Sequence, residues 1–173
     1  RAYIRNVSPK GEFEYLFLEY FDQMEAWADA AVKSLKASGY KQLYQQSIDA
    51  GYMVHGEYNY HNILFDATSE KDNYGHRKLN VYTVNFDHFK KNVQVEDLYY
   101  FLRKAMEKQG FKEWISDGIL NAYSAIIPLG KNELEYLKNR LMYPEKFFKV
   151  ANSYYHSNKA WISIKNVEKM QMA

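Results

Sequence analysis

The chain has 173 residues, the size of one domain, and a chain of this length can bury a core without disulfide or metal support. Lysine and arginine number 23 against 21 aspartate and glutamate residues, so the net charge is only +2. This balance argues against a nucleic-acid partner, and no apolar run approaches the roughly 18 residues that span a bilayer, which argues against a membrane partner. Cysteine is absent, which excludes disulfide scaffolds, thiolate metal sites and cysteine nucleophiles.

The first third of the chain is predicted to be helical. Apolar residues recur at steps of three and four over residues 11–37, which is the pattern of one face of a long amphipathic helix. Ser38 and Gly39 end this helix. A shorter helix is predicted over residues 41–50.

A short β insert follows. Residues 52–54, 62–65 and 79–84 have the composition of strands, and residues 55–62 form a polar, aromatic loop between the first two. The polar stretch 66–78 is predicted to be a mobile loop.

The pattern then returns to helix. Apolar stripes run over residues 95–105, 115–126 and 134–141, and Pro144 precedes a last stripe over residues 147–154. The order of elements predicts an α+β, predominantly helical fold in one domain over residues 1–173.

Tyrosine is unusually frequent, with 17 residues among the 173. Most of them are expected to fill core layers with the hydroxyl at the edge. A few could instead serve assembly contacts, and the pairs Tyr99-Tyr100 and Tyr154-Tyr155 are predicted to be exposed for that purpose.

Common site motifs do not fit the glycine-rich stretch 51–56. Its two glycines have the spacing of a P-loop, but Glu57 and Tyr58 stand where lysine and serine or threonine are required. His55 and His61 are six residues apart, which matches none of the common zinc spacings.

Two segments instead resemble the catalytic and metal-binding segments of kinase-like phosphotransferases of the aminoglycoside and choline kinase type. The first, residues 55–62, reads His-Gly-Glu-Tyr-Asn-Tyr-His-Asn, and the second, residues 84–87, reads Val-Asn-Phe-Asp. In that family the loop reads His-Gly-Asp, with an asparagine five residues beyond the aspartate. The metal segment reads Ile-Asp-Trp/Phe-Glu/Asp.

The resemblance implies a role for each matching residue. Glu57 stands at the position of the catalytic aspartate, which orients the attacking hydroxyl, and His55 is the histidine of the loop. Asn62 and the metal segment would hold the Mg²⁺ ions that bridge the ATP phosphates. Asp97, at the start of the next helix, would support the loop through backbone hydrogen bonds.

The sequence departs from the family at two positions. Glutamate at 57 displaces the carboxylate by roughly 1 Å, a shift that can cost on the order of a hundredfold in rate. Asn85 stands at the metal-binding aspartate, where an amide supplies no charge for a hard cation. Asp87 aligns with the acidic residue two positions further on, and an alternative register would place Asp87 at the metal.

The resemblance extends to clostridial members of the spore coat family of CotS type, which are kinase-like proteins of sporulating bacteria. It rests on residues 58–64, residues 85–89 and the tail 151–161. Complete members should have roughly 300 residues or more. They begin with a small β-rich lobe that supplies the phosphate-covering loop and the ATP lysine, and neither feature precedes Gly51. The resemblance therefore implies that this chain is the C-terminal lobe of a protein kinase-like fold.

The leading functional expectation is a spore coat or coat-associated scaffold with a degenerate phosphotransferase site, a pseudokinase. It would be made in the cytoplasm, located in the spore coat, and partnered by other coat proteins or by itself. Self-association would use an uncovered surface around residues 3–4, His55, Asn62 and Phe86. This fragment would need no cofactor.

Two alternatives remain open. The full-length protein could be an active phosphotransferase that uses ATP and Mg²⁺, with Glu57 as base and Asn62 and either Asp87 or Asn85 at the metal. The chain could also be an unrelated helical binding module.

Overall fold

The computed structural model describes residues 2–71, 73–156 and 164–171, most of which are helical. In chain order the elements are α1 (Ala2–Asn6), α2 (Glu12–Ala37), α3 (Tyr40–Asp49), β1 (Met53–Val54), β2 (Ile63–Lys71), β3 (Arg77–Thr83), β4 (Lys90–Lys91), α4 (Val95–Lys108), α5 (Glu113–Ser124), α6 (Lys131–Met142), α7 (Glu145–Tyr155) and α8 (Ile164–Gln171). Short 3₁₀ turns occupy Tyr60–Asn62 and Phe86–His88. Among the helices of these described stretches, none is long and apolar enough to cross a membrane.

The chain divides into two compact units. The terminal unit comprises Arg1–Ala37 and Lys138–Ala173, and the central unit comprises Ser38–Leu137.

The core of the terminal unit is aromatic. The apolar stripe of α2 buries Phe13 and Phe17, and Phe17 stacks on Phe147 of α7 with ring centroids 5.3 Å apart. Buried side chains of α1, α7 and α8 complete this core, namely Ile4, Ala151, Val167 and Met170. The predicted long helix is confirmed because its periodic stripe meets apolar partners along one face.

A buried carboxylate organises the polar part of this unit. Glu14 accepts hydrogen bonds from the hydroxyls of Tyr154 (2.9 Å) and Tyr155 (3.3 Å), and from the backbone N–H of Gly11 (2.9 Å). The ring of Phe13 stacks on Tyr154. A buried carboxylate needs such donors to offset its lost hydration.

The tyrosine pairs are therefore not the exposed contacts that the sequence suggested. Tyr154 and Tyr155 are half-buried and bonded to Glu14. Tyr99 is fully buried, and its hydroxyl accepts a hydrogen bond of 2.7 Å from Arg103. Tyr100 is half-buried, so none of the four tyrosines is exposed as predicted, and three of them have internal polar partners.

The two tyrosines predict a loss of stability at high pH. Burial, reinforced by the Glu14 carboxylate, raises the pKa of Tyr154 and of Tyr155 well above the ordinary value. Unfolded tyrosines lose their protons near pH 10, whereas the folded pair keeps them. The free energy of unfolding should therefore be fully maintained below about pH 10 and fall as the pH rises beyond it.

Urea unfolding at pH 9 and pH 11 measures this dependence. The double variant Tyr154→Phe/Tyr155→Phe should lose less stability between the two values than the unaltered protein. A control double variant replaces the exposed Tyr15 and Tyr20 of α2 by phenylalanine. Equal pH dependence in both double variants would contradict the assignment to the buried pair.

The central unit contains two small antiparallel sheets. In the first, β1 pairs with β4, with Val54 opposite Lys90. In the second, β2 and β3 form a hairpin in which Ile63 lies opposite Thr83. Val54 of β1 is buried. Also buried in this unit are Val93 and the α4 residues Val95, Leu98, Tyr99 and Leu102.

The hairpin corrects the predicted mobile loop over residues 66–78. Strand pairing extends into both ends of that stretch, to Lys71 on β2 and from Arg77 on β3; Asp66 lies opposite Asn80, and the hydroxyl of Thr68 donates to the carbonyl of Lys78 at 3.1 Å. Hydrogen bonds between strand backbones do not require apolar side chains. The polar composition of this stretch therefore led to the wrong prediction of a loop.

Candidate functional site

Asp97 holds the loop that follows β1. Its carboxylate accepts the backbone N–H of His55 at 2.7 Å and that of Gly56 at 3.0 Å. Burial raises the pKa of Asp97 above the ordinary value, although these two hydrogen bonds act in the opposite direction. This is the geometry that the resemblance implied for Asp97.

His55 fixes the loop to the second motif. The side chain is buried, its Nε2 lies 2.8 Å from the carbonyl oxygen of Val84, and its Nδ1 accepts the backbone N–H of Glu57 at 3.2 Å. One ring nitrogen thus donates and the other accepts, which is the pattern of a neutral imidazole. The ring also packs on Phe86, with centroids 4.7 Å apart.

Gly56 has two reasons to be glycine. Its φ is +85°, in the region that other residues adopt only with strain, and a Cβ here would run into the backbone carbonyl of His88. The loop therefore packs directly on the turn that carries Phe86 and His88.

Asn62 and Asn85 lie side by side. Asn62 is buried, its Nδ2 donates to the carbonyl of Glu57 at 3.0 Å, and its Oδ1 accepts from Nδ2 of Asn85 at 2.8 Å. The backbone supports this contact, since the N–H of Val84 donates to the carbonyl of Asn62 at 3.0 Å. Asn85 has a left-handed φ of 64°, which asparagine tolerates better than most residues.

This pair does not fit a Mg²⁺ ion. Magnesium takes oxygen ligands, ordinarily with one or two carboxylates among them. Here the amide of Asn85 presents a donor group, and that donor occupies the oxygen of Asn62 that would be the ligand. Across the described ranges, no group of three or more histidine, aspartate or glutamate residues is arranged to hold a metal.

The remaining predicted residues lie on the exposed side of the loop. Glu57 is exposed, and its Oε1 is 3.7 Å from Nε2 of His88. Asp87 is also exposed, within the turn Phe86–His88. Asn85 hydrogen-bonds to Asn62, while the roles of Glu57 as base and Asp87 as ligand stay predictions.

Only some of the residues that were expected to be uncovered are exposed. Ile4, His55 and Asn62 are buried, whereas Tyr3 is 73% and Phe86 51% exposed. The two polar residues are buried because they bond to the backbone of neighbouring segments rather than to solvent.

Sequence reasoning missed two partners of the loop. The packing of Phe86 on His55 and of the His88 backbone on Gly56 joins the two motifs. The glycine that follows His55 was the available signal, since glycine permits close backbone approach.

The fold is similar to that of a known enzyme. The solved structure of an aminoglycoside phosphotransferase from Alicyclobacillus acidocaldarius matches with a TM-score of 0.81 at 15% sequence identity. The match covers 99% of this chain and 48% of that one, so the chain spans about half the length of this relative. No family model matches the chain, and no curated protein matches it. At 15% identity, this similarity shows the fold alone. The chain therefore has a partial kinase-like fold like that of the aminoglycoside phosphotransferase.

Proposed function

We propose that the chain is the C-terminal lobe of a kinase-fold protein that transfers no phosphate and serves as a structural scaffold. The hydrogen bond between Asn85 and Asn62 supports this proposal, because the resemblance assigns metal ligands to these two positions and Asn85 offers an uncharged donor there. Positioning and electrostatic stabilisation supply nearly all the rate of phosphoryl transfer. A site without the metal charge therefore loses the main source of catalysis.

We propose the spore coat as the setting, after synthesis in the cytoplasm, with other coat proteins as partners. The support is the sequence resemblance over residues 58–64 and 85–89; the third matching segment, 151–161, lies partly outside the described residues. Detection of the protein in coat extracts of mature spores tests this part of the proposal. Its absence from such extracts would contradict it.

A second candidate is an active phosphotransferase in the full-length protein. The exposed carboxylate of Glu57 favours it, because hydrogen bonds of Asp97 and His55 hold the loop that carries Glu57. In that case the full-length protein would use ATP and Mg²⁺, with Glu57 as base.

Titration of the full-length protein with ATP and Mg²⁺ separates the two candidates. The unaltered protein should show no metal-dependent binding and release no phosphate. Asn85→Asp replaces the amide donor by a carboxylate beside Asn62 Oδ1, and this added charge should strengthen Mg²⁺ binding by about tenfold or more. Asn121→Asp, an exposed change of the same charge on α5, is the control and should have no effect.

Two results would overturn the scaffold proposal. One is micromolar, metal-dependent ATP binding by the unaltered protein. The other is phosphate release that Glu57→Ala abolishes, which would establish the active enzyme.

A further inference from the structure

The backbone of Glu57 is bonded on both sides to one neighbouring segment. Its N–H donates to Nδ1 of His55 at 3.2 Å, and Nε2 of that imidazole lies 2.8 Å from the carbonyl oxygen of Val84. Its carbonyl accepts from Nδ2 of Asn62 at 3.0 Å, and Oδ1 of Asn62 accepts from Asn85 at 2.8 Å. Because Val84 and Asn85 are adjacent in the chain, these four hydrogen bonds form a closed circuit through Glu57.

The orientation of each polar side chain in this circuit follows from its neighbours. A backbone carbonyl can only accept, so Asn62 must direct Nδ2 to Glu57 and Oδ1 to Asn85. That oxygen in turn requires Nδ2 of Asn85. On the other side, His55 accepts at Nδ1 and therefore carries its proton at Nε2, which donates to Val84. Every bond thus has a fixed direction, and successive bonds of this kind strengthen one another.

The circuit contains no charged group. His55 and Asn62 are buried, where an uncharged group with hydrogen-bond partners costs less to desolvate than an ion does. A further backbone bond, from the N–H of Val84 to the carbonyl of Asn62 at 3.0 Å, connects the same two segments. A cation between Asn62 and Asn85 would have to displace the hydrogen bond between their amides. The contacts described here need no such ion.

Asn85 meets two requirements of its position. Its φ of 64° lies in the left-handed region, which glycine, asparagine and aspartate adopt more readily than other residues. Of these three residue types, only asparagine can donate to Oδ1 of Asn62 at neutral pH. The backbone conformation alone would allow glycine or aspartate, whereas the conformation and the donor together select asparagine.

We propose that this circuit, and not a metal ion, joins the loop of residues 55–62 to residues 84–85. Asn62 and Asn85 are then positioning residues, because they act through hydrogen bonds on the backbone of Glu57 and fix the place from which its exposed side chain projects. The inference concerns the nucleotide-free protein, and it does not depend on the scaffold role.

Hydrogen exchange of the full-length protein, without nucleotide and in the presence of EDTA, tests the proposal. Asn62→Asp keeps an oxygen for Asn85 but cannot donate to Glu57, so the backbone amides of residues 55–62 should exchange about tenfold faster or more. Asn85→Asp keeps the size and the left-handed preference but loses the donor, and Asn85→Gly loses the whole amide. Both changes should speed exchange in the same loop about threefold or more.

Asn121→Asp is the matched control. It makes the same chemical change at an exposed position of α5 and should alter exchange in the loop less than about twofold. Unchanged loop protection in Asn85→Gly would show that only the backbone conformation matters at position 85, and unchanged protection in Asn85→Asp would show that only the size does. Either result would overturn the proposal.

Exchange in α2 reports whether each variant folds, since that helix lies in the other unit and should keep its protection. Asn85 is exposed, so its two variants test the proposal even if Asn62→Asp does not fold.

Addition of excess Mg²⁺ is the second measurement. The unaltered protein should show the same loop protection with Mg²⁺ as with EDTA, because no bond of the circuit requires an ion. A rise in protection that depends on Mg²⁺ would overturn the proposal. The ATP titration is a separate test, since it measures nucleotide binding. Metal-dependent ATP binding together with the expected exchange results would overturn the scaffold function and leave the circuit standing in the nucleotide-free protein.

Discussion

Gly56→Ala is expected to destabilise the central unit by about 3 kcal/mol or more. The left-handed φ of +85° makes any Cβ costly, and this Cβ would also run into the backbone carbonyl of His88. A backbone atom cannot rotate away as the end of a side chain can. The loop or the turn Phe86–His88 would have to move, and the hydrogen bonds of His55 would be disturbed.

Gly75→Ala is the matched control for this prediction. Gly75 has the same φ of +85°, but a Cβ there would meet no atom within 4 Å. Alanine should therefore cost only the backbone strain, about 1–2 kcal/mol. Urea unfolding of the two variants measures the difference. Equal losses would show that the His88 carbonyl does not constrain the loop.

Asp97→Ala is expected to reduce the free energy of unfolding by about 2–4 kcal/mol. The change removes the acceptor for the backbone N–H groups of His55 and Gly56. Both donors lie in a buried part of the loop, where an unpaired N–H is costly. Asp97→Asn keeps one oxygen but turns an N–H₂ toward a backbone donor, so its loss should be intermediate.

Asp117→Ala, an exposed change on α5, is the control and should cost less than about 0.5 kcal/mol. Hydrogen exchange locates the effect, because the amide protons of His55 and Gly56 should exchange faster in Asp97→Ala. Unchanged protection of these two amides would mean that Asp97 does not hold the loop.

The loop is a structural element of the central unit. Asp97 joins it to α4, and His55 joins it to the segment before Phe86. Each contact stabilises the folded chain whether or not a phosphate is transferred. The loop can therefore be retained for the stability of the fold, whatever the role of Asn85.

Elements with a strong apolar period were predictable from the sequence. The apolar stripe over residues 11–37 corresponds to α2, and the one that begins at Val95 corresponds to α4. Each stripe was recognisable because the helix buries one apolar face. The hairpin was predictable only in its apolar parts, at Ile63 and Leu79. Its polar strands depend on cross-strand backbone bonds, which leave no pattern in one strand alone.

The sequence by itself determined which residues could form the site. The resemblance predicted roles for His55 and Asn62 in a kinase-like loop, for Asn85 in a metal-binding segment and for Asp97 as support of the loop. Only the tertiary structure decided which hydrogen-bond partners these residues have. Folding brings Nδ2 of Asn85 to Oδ1 of Asn62, although the two residues are 23 positions apart in the chain. It likewise brings the hydroxyl of Tyr154 to the carboxylate of Glu14. Local sequence encodes helix faces and turn residues, whereas the pairing of polar groups across the fold depends on packing that only the assembled chain defines.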